Sequence, residues 1–163
     1  MRTSVAPDAV SLIEAWRMWL IWGSSHPEGD VIRIGSNPRP DYVWPPREAQ
    51  PATCRGGSAG CDRSPGWGCS CGYYGLRREV FVQEMMKCAA APFAVLGKVY
   101  LWGRVTVCER GWKAQYAYPA ELYLPSDAGW DEATLVERGR NLEDYGVPVD
   151  ALPLVEILQI AGT

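Results

Sequence analysis

The sequence is poor in the groups that most enzymes use for acid–base chemistry near neutral pH. His26 is the only histidine among 163 residues, so a catalytic cysteine–histidine pair would have to use it. The chain also lacks a glycine-rich phosphate loop and an H-E-x-x-H motif. The sequence therefore favours a non-catalytic protein over an enzyme. His26, in a Ser-Ser-His-Pro turn, is interpreted as a loop residue, with replacement of one metal ligand as its alternative role.

Long hydrophobic runs are absent as well. The most apolar stretch, residues 9–22, is interrupted by Glu14 and Arg17, and no small-residue cleavage pattern follows it. We therefore expect neither a membrane span nor a secretory signal, and we predict a cytoplasmic protein. In that reducing compartment, clustered cysteines favour metal binding over disulfides.

The chain also lacks the excess of positive charge that marks a general polyanion-binding protein, since its net charge is −3. The charge is unevenly distributed, however. Residues 51–125 hold nine Lys and Arg against five Asp and Glu, whereas residues 126–163 hold two against eight. A local nucleic-acid surface in the mildly basic middle stays open, but the acidic total ranks a protein partner above nucleic acid.

The composition is that of a globular protein, with 47% hydrophobic and 21% charged residues. The length fits a single domain over residues 1–163. We expect a Cys-rich loop inserted at 51–75 and an acidic helical region at 126–163. Eight Trp against two Phe suit half-buried sheet faces and interfaces.

A β-hairpin is the clearest predicted element. Side chains alternate along residues 98–108 and again along 112–118, and a Gly-containing connection joins the two segments. Pro119 should end the second strand or bulge it. Residues 121–124 should continue the sheet.

The N-terminal half predicts further strands around a proline-rich passage. The spacing of Leu12, Trp16, Trp19 and Leu20 would suit a helix, but the Trp-rich alternation favours a buried strand near 15–22. This strand should pair with residues 31–34 after a turn at 23–28. Prolines fix the backbone of residues 37–46 and remove amide donors, so this passage should cover the surface as an extended loop.

The remaining segments favour helices. Residues 79–90 favour a helix, although Val80–Val82 would also suit the start of a strand. Residues 130–145 predict a helix with Asp127 as its N-cap and Gly146 in its stop signal. The apolar residues 152–160 suit either a helix or a strand. The predicted fold class is α+β, a twisted antiparallel sheet with a Cys-rich metal-binding loop and one or two helices.

Four cysteines follow the pattern C-x6-C-x7-C-x-C within a glycine-rich stretch, namely Cys54, Cys61, Cys69 and Cys71. Thiolates are preferred structural ligands of tetrahedral zinc, and a glycine beside a ligand lets backbone amides turn toward the sulfur. The pattern favours structural zinc, with an iron–sulfur cluster, disulfides and unligated thiols as alternatives. Cys88 and Cys108 are interpreted as buried small hydrophobic residues.

Several longer motifs resemble those of a family of small bacterial proteins for which we know no established activity. They are Trp16 in the N-terminal strand, Trp44-Pro45-Pro46, Cys69-Ser70-Cys71-Gly72-Tyr73-Tyr74, Leu101-Trp102-Gly103-Arg104-Val105, Glu109-Arg110-Gly111-Trp112-Lys113-Ala114 and Tyr116–Pro119. The resemblance spans roughly residues 12–125 and implies this layout without a function. A His often precedes the C-x-C element in that family, near the position of Pro65. Cys61 in this chain then implies exchange of one metal ligand for another.

Arginine and aromatic residues flank the cysteines, namely Arg55, Arg63, Trp67, Tyr73, Tyr74, Arg77 and Arg78. Such residues are enriched at binding hot spots, and they can also stack bases and neutralise phosphates. We predict a non-catalytic, zinc-stabilised interaction module that binds a protein partner through this surface. A nucleic-acid-binding module and a thiol or iron–sulfur redox sensor or enzyme are the alternatives. A second candidate surface, more simply read as a core face under the helices, carries Tyr100, Trp102, Arg104 and Thr106.

Overall fold

The structure, a computed structural model, describes residues 12–22, 31–36, 42–54, 61–66, 68–87 and 94–163. Its elements in chain order are β1 Ile13–Trp22, β2 Arg33–Gly35, β3 Tyr73–Leu76, α1 Arg78–Lys87, β4 Ala94–Val107, β5 Gly111–Pro125, α2 Glu132–Leu142, the 3-10 turn Glu143–Tyr145, β6 Val149–Leu152 and α3 Leu154–Gly162. The α+β fold class is confirmed, with three helices among the described residues where one or two were expected. None of these three helices is long and apolar enough to cross a membrane.

The predicted hairpin is confirmed as β4 and β5, and it forms the centre of the sheet. The pairing register shifts between Lys98, which faces Glu121, and Val99, which faces Pro119. One residue of β5, Ala120, is thereby left between the two pairs as a β-bulge. The proline removes a ladder donor, so the strand bulges there and then continues as predicted.

The other strands nearly close this hairpin into a barrel. β1 pairs with β4 over eight residues and with β2 in the predicted hairpin. β3 pairs with β5 and returns to β1 at one position, where Trp16 faces Leu76. The pairings β1–β4–β5–β3 therefore lead back to β1. β6 joins β5 in parallel, an exception to the antiparallel pattern that the sequence did not predict.

Two hydrophobic clusters lie on opposite sides of these strands. The larger lies between the strands, where alternating positions such as Ala15, Trp19, Val99 and Leu101 are buried, and α2 adds Leu142. The smaller lies under α1 and α3, where Trp16 stacks on Phe81 at 5.2 Å between ring centroids. Period-two alternation therefore separates an inner core from a helix-covered outer face.

Trp44 belongs to the core, although the sequence predicted a covering loop for the passage around it. Its ring is 5% exposed, packs edge-on against Trp19 and Tyr73, and carries the Arg17 guanidinium 4.9 Å from its centroid. Burial also lowers the pKa of Arg17 to about 10. The prediction was wrong for Trp44. Burial of a large aromatic ring stabilises the folded state, and this free energy outweighs the tendency of the flanking prolines to keep the passage on the surface. Residues 37–41 of this passage lie outside the described residues, as does the predicted turn at 23–28 with His26.

The helix at the C-terminal end of the hairpin begins at a different residue from the one predicted. Asp131, not Asp127, is the N-cap of α2, and its carboxylate accepts the Thr134 N–H at 2.7 Å. Asp127 instead accepts the Leu154 N–H at 3.0 Å, at the start of α3. The ambiguous segment 152–160 contains the end of a strand and most of a helix, divided at Pro153.

Candidate metal centre

The four predicted ligands come together in space. The sulfur atoms of Cys54, Cys61, Cys69 and Cys71 all lie within 4.8 Å of one another. The Sγ atoms of Cys54 and Cys69 are 3.5 Å apart, and those of Cys61 and Cys71 are 3.3 Å apart. None of the described cysteines forms a disulfide. A tetrahedron of sulfurs around one zinc ion, with bonds of about 2.3 Å, has edges of about 3.8 Å. The four cysteines could therefore hold a single metal ion.

Sheet strands position three of the four cysteines. Cys69 and Cys71 immediately precede β3, whose first residue, Tyr73, pairs with Ala114 of β5. Cys54 ends a segment that is joined to β5 by the Ala52 N–H, which donates to the Gln115 carbonyl at 2.7 Å. The site therefore lies beside the edge of β5 that faces away from β4, where β3 pairs with it.

Glycine is required at two points of the loop that carries Cys61 and Cys71. A Cβ on Gly66 would lie 2.6 Å from the Cys61 Cβ, closer than real side chains approach. Gly72 has a φ of +111°, and a Cβ there would lie 2.9 Å from the Pro65 Cβ. Gly66 therefore lets the chain pass close to Cys61, and Gly72 lets it pass close to Pro65 and β5.

A backbone amide and a neighbouring thiol contact the Cys71 sulfur. The Gly66 N–H donates to Cys71 Sγ at 3.3 Å. Burial raises the pKa of Cys71, but the nearby polar Ser64 side chain, the Gly66 amide and the Cys61 thiol outweigh it and bring the pKa to about 6. The pKa of Cys61 rises to about 12, first because its thiol bonds to Cys71 and then through desolvation. Without a metal, the two thiols share one proton near neutral pH.

Two cations reach from the sheet to the carbonyls of this loop. The Lys113 ammonium, on β5, donates to the Gly66 carbonyl at 3.1 Å and also to the Cys69 carbonyl. Arg104, on β4, donates from Nη2 to the Ser64 carbonyl at 2.9 Å. Lys113 is only 7% exposed, and Arg104 Nε is buried without a hydrogen-bond partner among the described residues.

Neither cation has a carboxylate to balance it. Among the ion pairs of the described residues, none includes Lys113 or Arg104. Buried charges are costly unless an opposite charge lies nearby. A divalent ion with four thiolates carries two net negative charges, which matches the two cations that the sheet directs at the loop.

Sequence reasoning missed Lys113 and Arg104 as parts of this site. The sequence predicts Arg104 on a possible binding face, and it gives Lys113 a place in the hairpin and in the Glu109–Ala114 motif but no role at the metal site. A lone lysine between Trp112 and Ala114 in a strand is a weak signal. Only the pairing of β5 with β3 brings the lysine under the loop, because β3 begins two residues after Cys71.

The described members of the predicted partner-binding surface lie in different parts of the fold. Tyr73 packs edge-on against Trp44 at the inner core. Tyr74 is 39% exposed, and its hydroxyl donates to the Ser70 carbonyl. Arg63 is exposed near the cysteines, whereas Arg77 and Arg78 lie at the start of α1. Arg55 and Trp67 lie outside the described residues.

The second candidate surface is a half-buried face of the hairpin. Trp102 stacks on Tyr116 with ring centroids 5.7 Å apart, while Tyr100, Arg104 and Thr106 are all half-buried. Cys108 is half-buried at the end of this hairpin, so its reading as a buried small residue holds only in part. Cys88 lies outside the described residues.

Comparison with protein-family models, curated proteins and solved structures gives no match. The family resemblance stays a prediction, and the functional argument depends on the geometry of the site.

Proposed function

We propose that the protein is a non-catalytic, zinc-stabilised interaction module of the cytoplasm, held in shape by Cys54, Cys61, Cys69 and Cys71. The observation that carries the proposal is the compact group of four sulfurs beside two cations that lack carboxylate partners. Four thiolates fill a tetrahedral ion and leave no open position, which suits a structural rather than a catalytic metal. The described cysteines form no disulfide, which is what a reducing compartment favours.

Zinc is favoured over an iron–sulfur cluster by the size of the site. A cluster places several iron and sulfide atoms between its cysteines and holds the sulfurs further apart than one ion does. The span of 4.8 Å leaves room for one ion. One iron bound by four thiolates would have a similar geometry, so the two metals are separated by spectroscopy.

The metal is tested by elemental analysis and absorption spectra of protein purified under reducing conditions. We expect one zinc per chain, no visible band, and intense charge-transfer bands after exchange with cobalt. Cys69→Ser should remove the stoichiometric metal, whereas Cys108→Ser, outside the group, should retain it. A visible band in the protein as purified, or protein without metal, would overturn the zinc assignment.

We propose that the partner is a protein and that it contacts exposed Arg and aromatic side chains around the loop, such as Arg63 and Tyr74. The acidic net charge of −3 disfavours a polyanion. Binding to single-stranded DNA and RNA, measured over a range of salt concentrations, tests this choice. Tight binding that falls steeply with salt would favour the nucleic-acid alternative and contradict a protein partner.

A further inference from the structure

A cleft of about 590 Å³ lies between the N-terminal end of α1, the C-terminal end of α3 and the sheet. None of the four clustered cysteines lines it. Its walls include the cations Arg77, Arg78 and Lys98, and its size falls in the range of ligand-binding pockets. The partners of these three cations indicate which kind of ligand the cleft could bind.

Two of the three cations are already neutralised. Lys98 Nζ lies 3.3 Å from a Glu14 carboxylate oxygen and 3.7 Å from one of Glu121. Arg78 Nε lies 3.2 Å from a Glu79 carboxylate oxygen, and its Nη1 donates to the Thr163 carbonyl. These side chains have little capacity for a further anion.

Arg77 differs from both, because no carboxylate of the described residues pairs with it. Its Nη1 donates to the Cys108 carbonyl at 3.0 Å and to the Glu109 carbonyl at 2.7 Å. The guanidinium also lies 5.1 Å from the centroid of the Trp112 ring. The group is thus held in one orientation while Nε and Nη2 keep their donors for a ligand, and a fixed guanidinium suits a carboxylate.

Arg77 is the one guanidinium of the cleft without a carboxylate within ion-pair distance among the described residues, which fits one anionic group rather than a chain of phosphates. Glu14 and Glu79 also face the cleft and would repel a second anion. Ile160, which is 38% exposed, adds an apolar contact on the α3 side. We propose that this cleft binds an acidic side chain of a protein partner, with the carboxylate on Arg77 and an adjacent apolar residue on Ile160. The inference builds on the protein partner proposed above and specifies its chemistry.

The test uses the metal-loaded full chain and an array of short peptides, each with one Glu beside one Leu in a Gly-Ser background. A duplicate array carries Gln in place of Glu. We expect a preference for Glu of about tenfold or more, since a charged hydrogen bond is lost with Gln. Arg77→Gln should remove this preference, and equal binding to both arrays by the wild type would overturn the proposal.

Two further variants distinguish a specific loss of binding from a loss of folded protein. Glu79→Gln removes the competing carboxylate from the cleft and should raise the affinity for Glu peptides, which a damaged protein would not do. Arg110→Gln is the matched control, because Arg110 is exposed, pairs with Glu84 and lies outside the cleft. Unchanged affinity in Glu79→Gln, or an equal loss in Arg110→Gln, would contradict the assignment.

Metal analysis of the same samples separates this inference from the proposed function. Metal-loaded protein without a Glu preference would refute the cleft and leave the metal-stabilised module standing. A Glu preference in protein that binds no metal would support the cleft and refute the structural zinc. Competition by sodium propionate as effective as that by the Glu peptides would overturn the commitment to a protein partner.

Discussion

Lys113 and Arg104 show, at the scale of single residues, how a sheet can complete a metal site without supplying a ligand. Both side chains contact carbonyls of the loop rather than sulfur atoms. Their charges oppose the negative charge that four thiolates concentrate in a small volume. Mutation of residues that contact the ligand-bearing segments rather than the metal commonly changes metal affinity by about 10- to 100-fold.

Lys113→Met should therefore weaken zinc binding by about 10-fold or more. Thiols must lose protons to bind zinc, so affinity falls as the pH falls. The raised pKa of Cys61 in the metal-free protein makes this deprotonation harder and lowers the affinity further. Without the nearby cation, thiolates are less stable, and the pH of half-release should move upward. Chelator competition over a pH series measures both quantities.

Lys113→Arg is the control, since it keeps the positive charge and should recover most of the affinity. A shift of the same size in both variants would mean that packing, not charge, connects the lysine to the metal. Unchanged zinc affinity in Lys113→Met would contradict the proposed charge balance.

At the scale of elements, the helix ends show where the predicted and the observed capping residues differ. Two aspartates only four residues apart cap two different helices, Asp131 at α2 and Asp127 at α3. The second of these caps bridges 27 residues of sequence. The local pattern identified a cap in this region but assigned it to the wrong aspartate, because a carboxylate can serve any helix end that the fold brings near.

Asp131→Ala should lower the melting temperature by a few degrees at neutral pH, because the first turn of α2 loses its acceptor. The Thr134 backbone N–H, followed by the Thr134 side chain, lowers the pKa of Asp131 below its ordinary value. The folded state therefore gains stability above the unfolded pKa and loses it as the pH falls through the folded pKa. The difference from wild type should shrink in acid.

Asp131→Asn provides the matched comparison, because the amide keeps a capping oxygen without a charge that titrates. Thermal melts of the three proteins between neutral and acidic pH give the result. A wild-type advantage over Asp131→Ala that stays constant down to strongly acidic pH would rule out the charged cap.

At the scale of the whole molecule, Tyr145 connects parts of the chain that are far apart in sequence. Its buried hydroxyl accepts the Ile34 N–H at 3.0 Å and donates to the Trp44 carbonyl at 2.6 Å. Burial raises its pKa above the ordinary value for tyrosine. One hydroxyl thus joins the 3-10 turn after α2 to β2 and to the passage around Trp44.

Tyr145→Phe should reduce the free energy of unfolding by about 1–3 kcal/mol, because a buried amide and a buried carbonyl lose their partner. Denaturant unfolding measures the loss. Tyr100→Phe is the control, since Tyr100 is half-buried and its hydroxyl has no hydrogen bond among the described residues. Equal losses in the two variants would contradict the bridging role.

The sequence was sufficient where the signal is local. Alternation predicted β1, β4 and β5, and of the two outcomes that proline chemistry predicted at Pro119, a strand end or a bulge, the structure has the bulge. The spacing of Cys54, Cys61, Cys69 and Cys71 predicted a common site. Period-two patterns and short-range loop closure depend on neighbouring residues, so they can be read without the fold.

The tertiary structure decided what depends on distant pairing. The return of β3 to β1, the parallel β6, the burial of Trp44 and the two cations under the loop all join segments that no local pattern connects. The sequence by itself determined that four thiols meet. Only the packed sheet decided which charges surround them and left Arg77 without an ion-paired carboxylate among the described residues, because burial and charge compensation are properties of the whole chain.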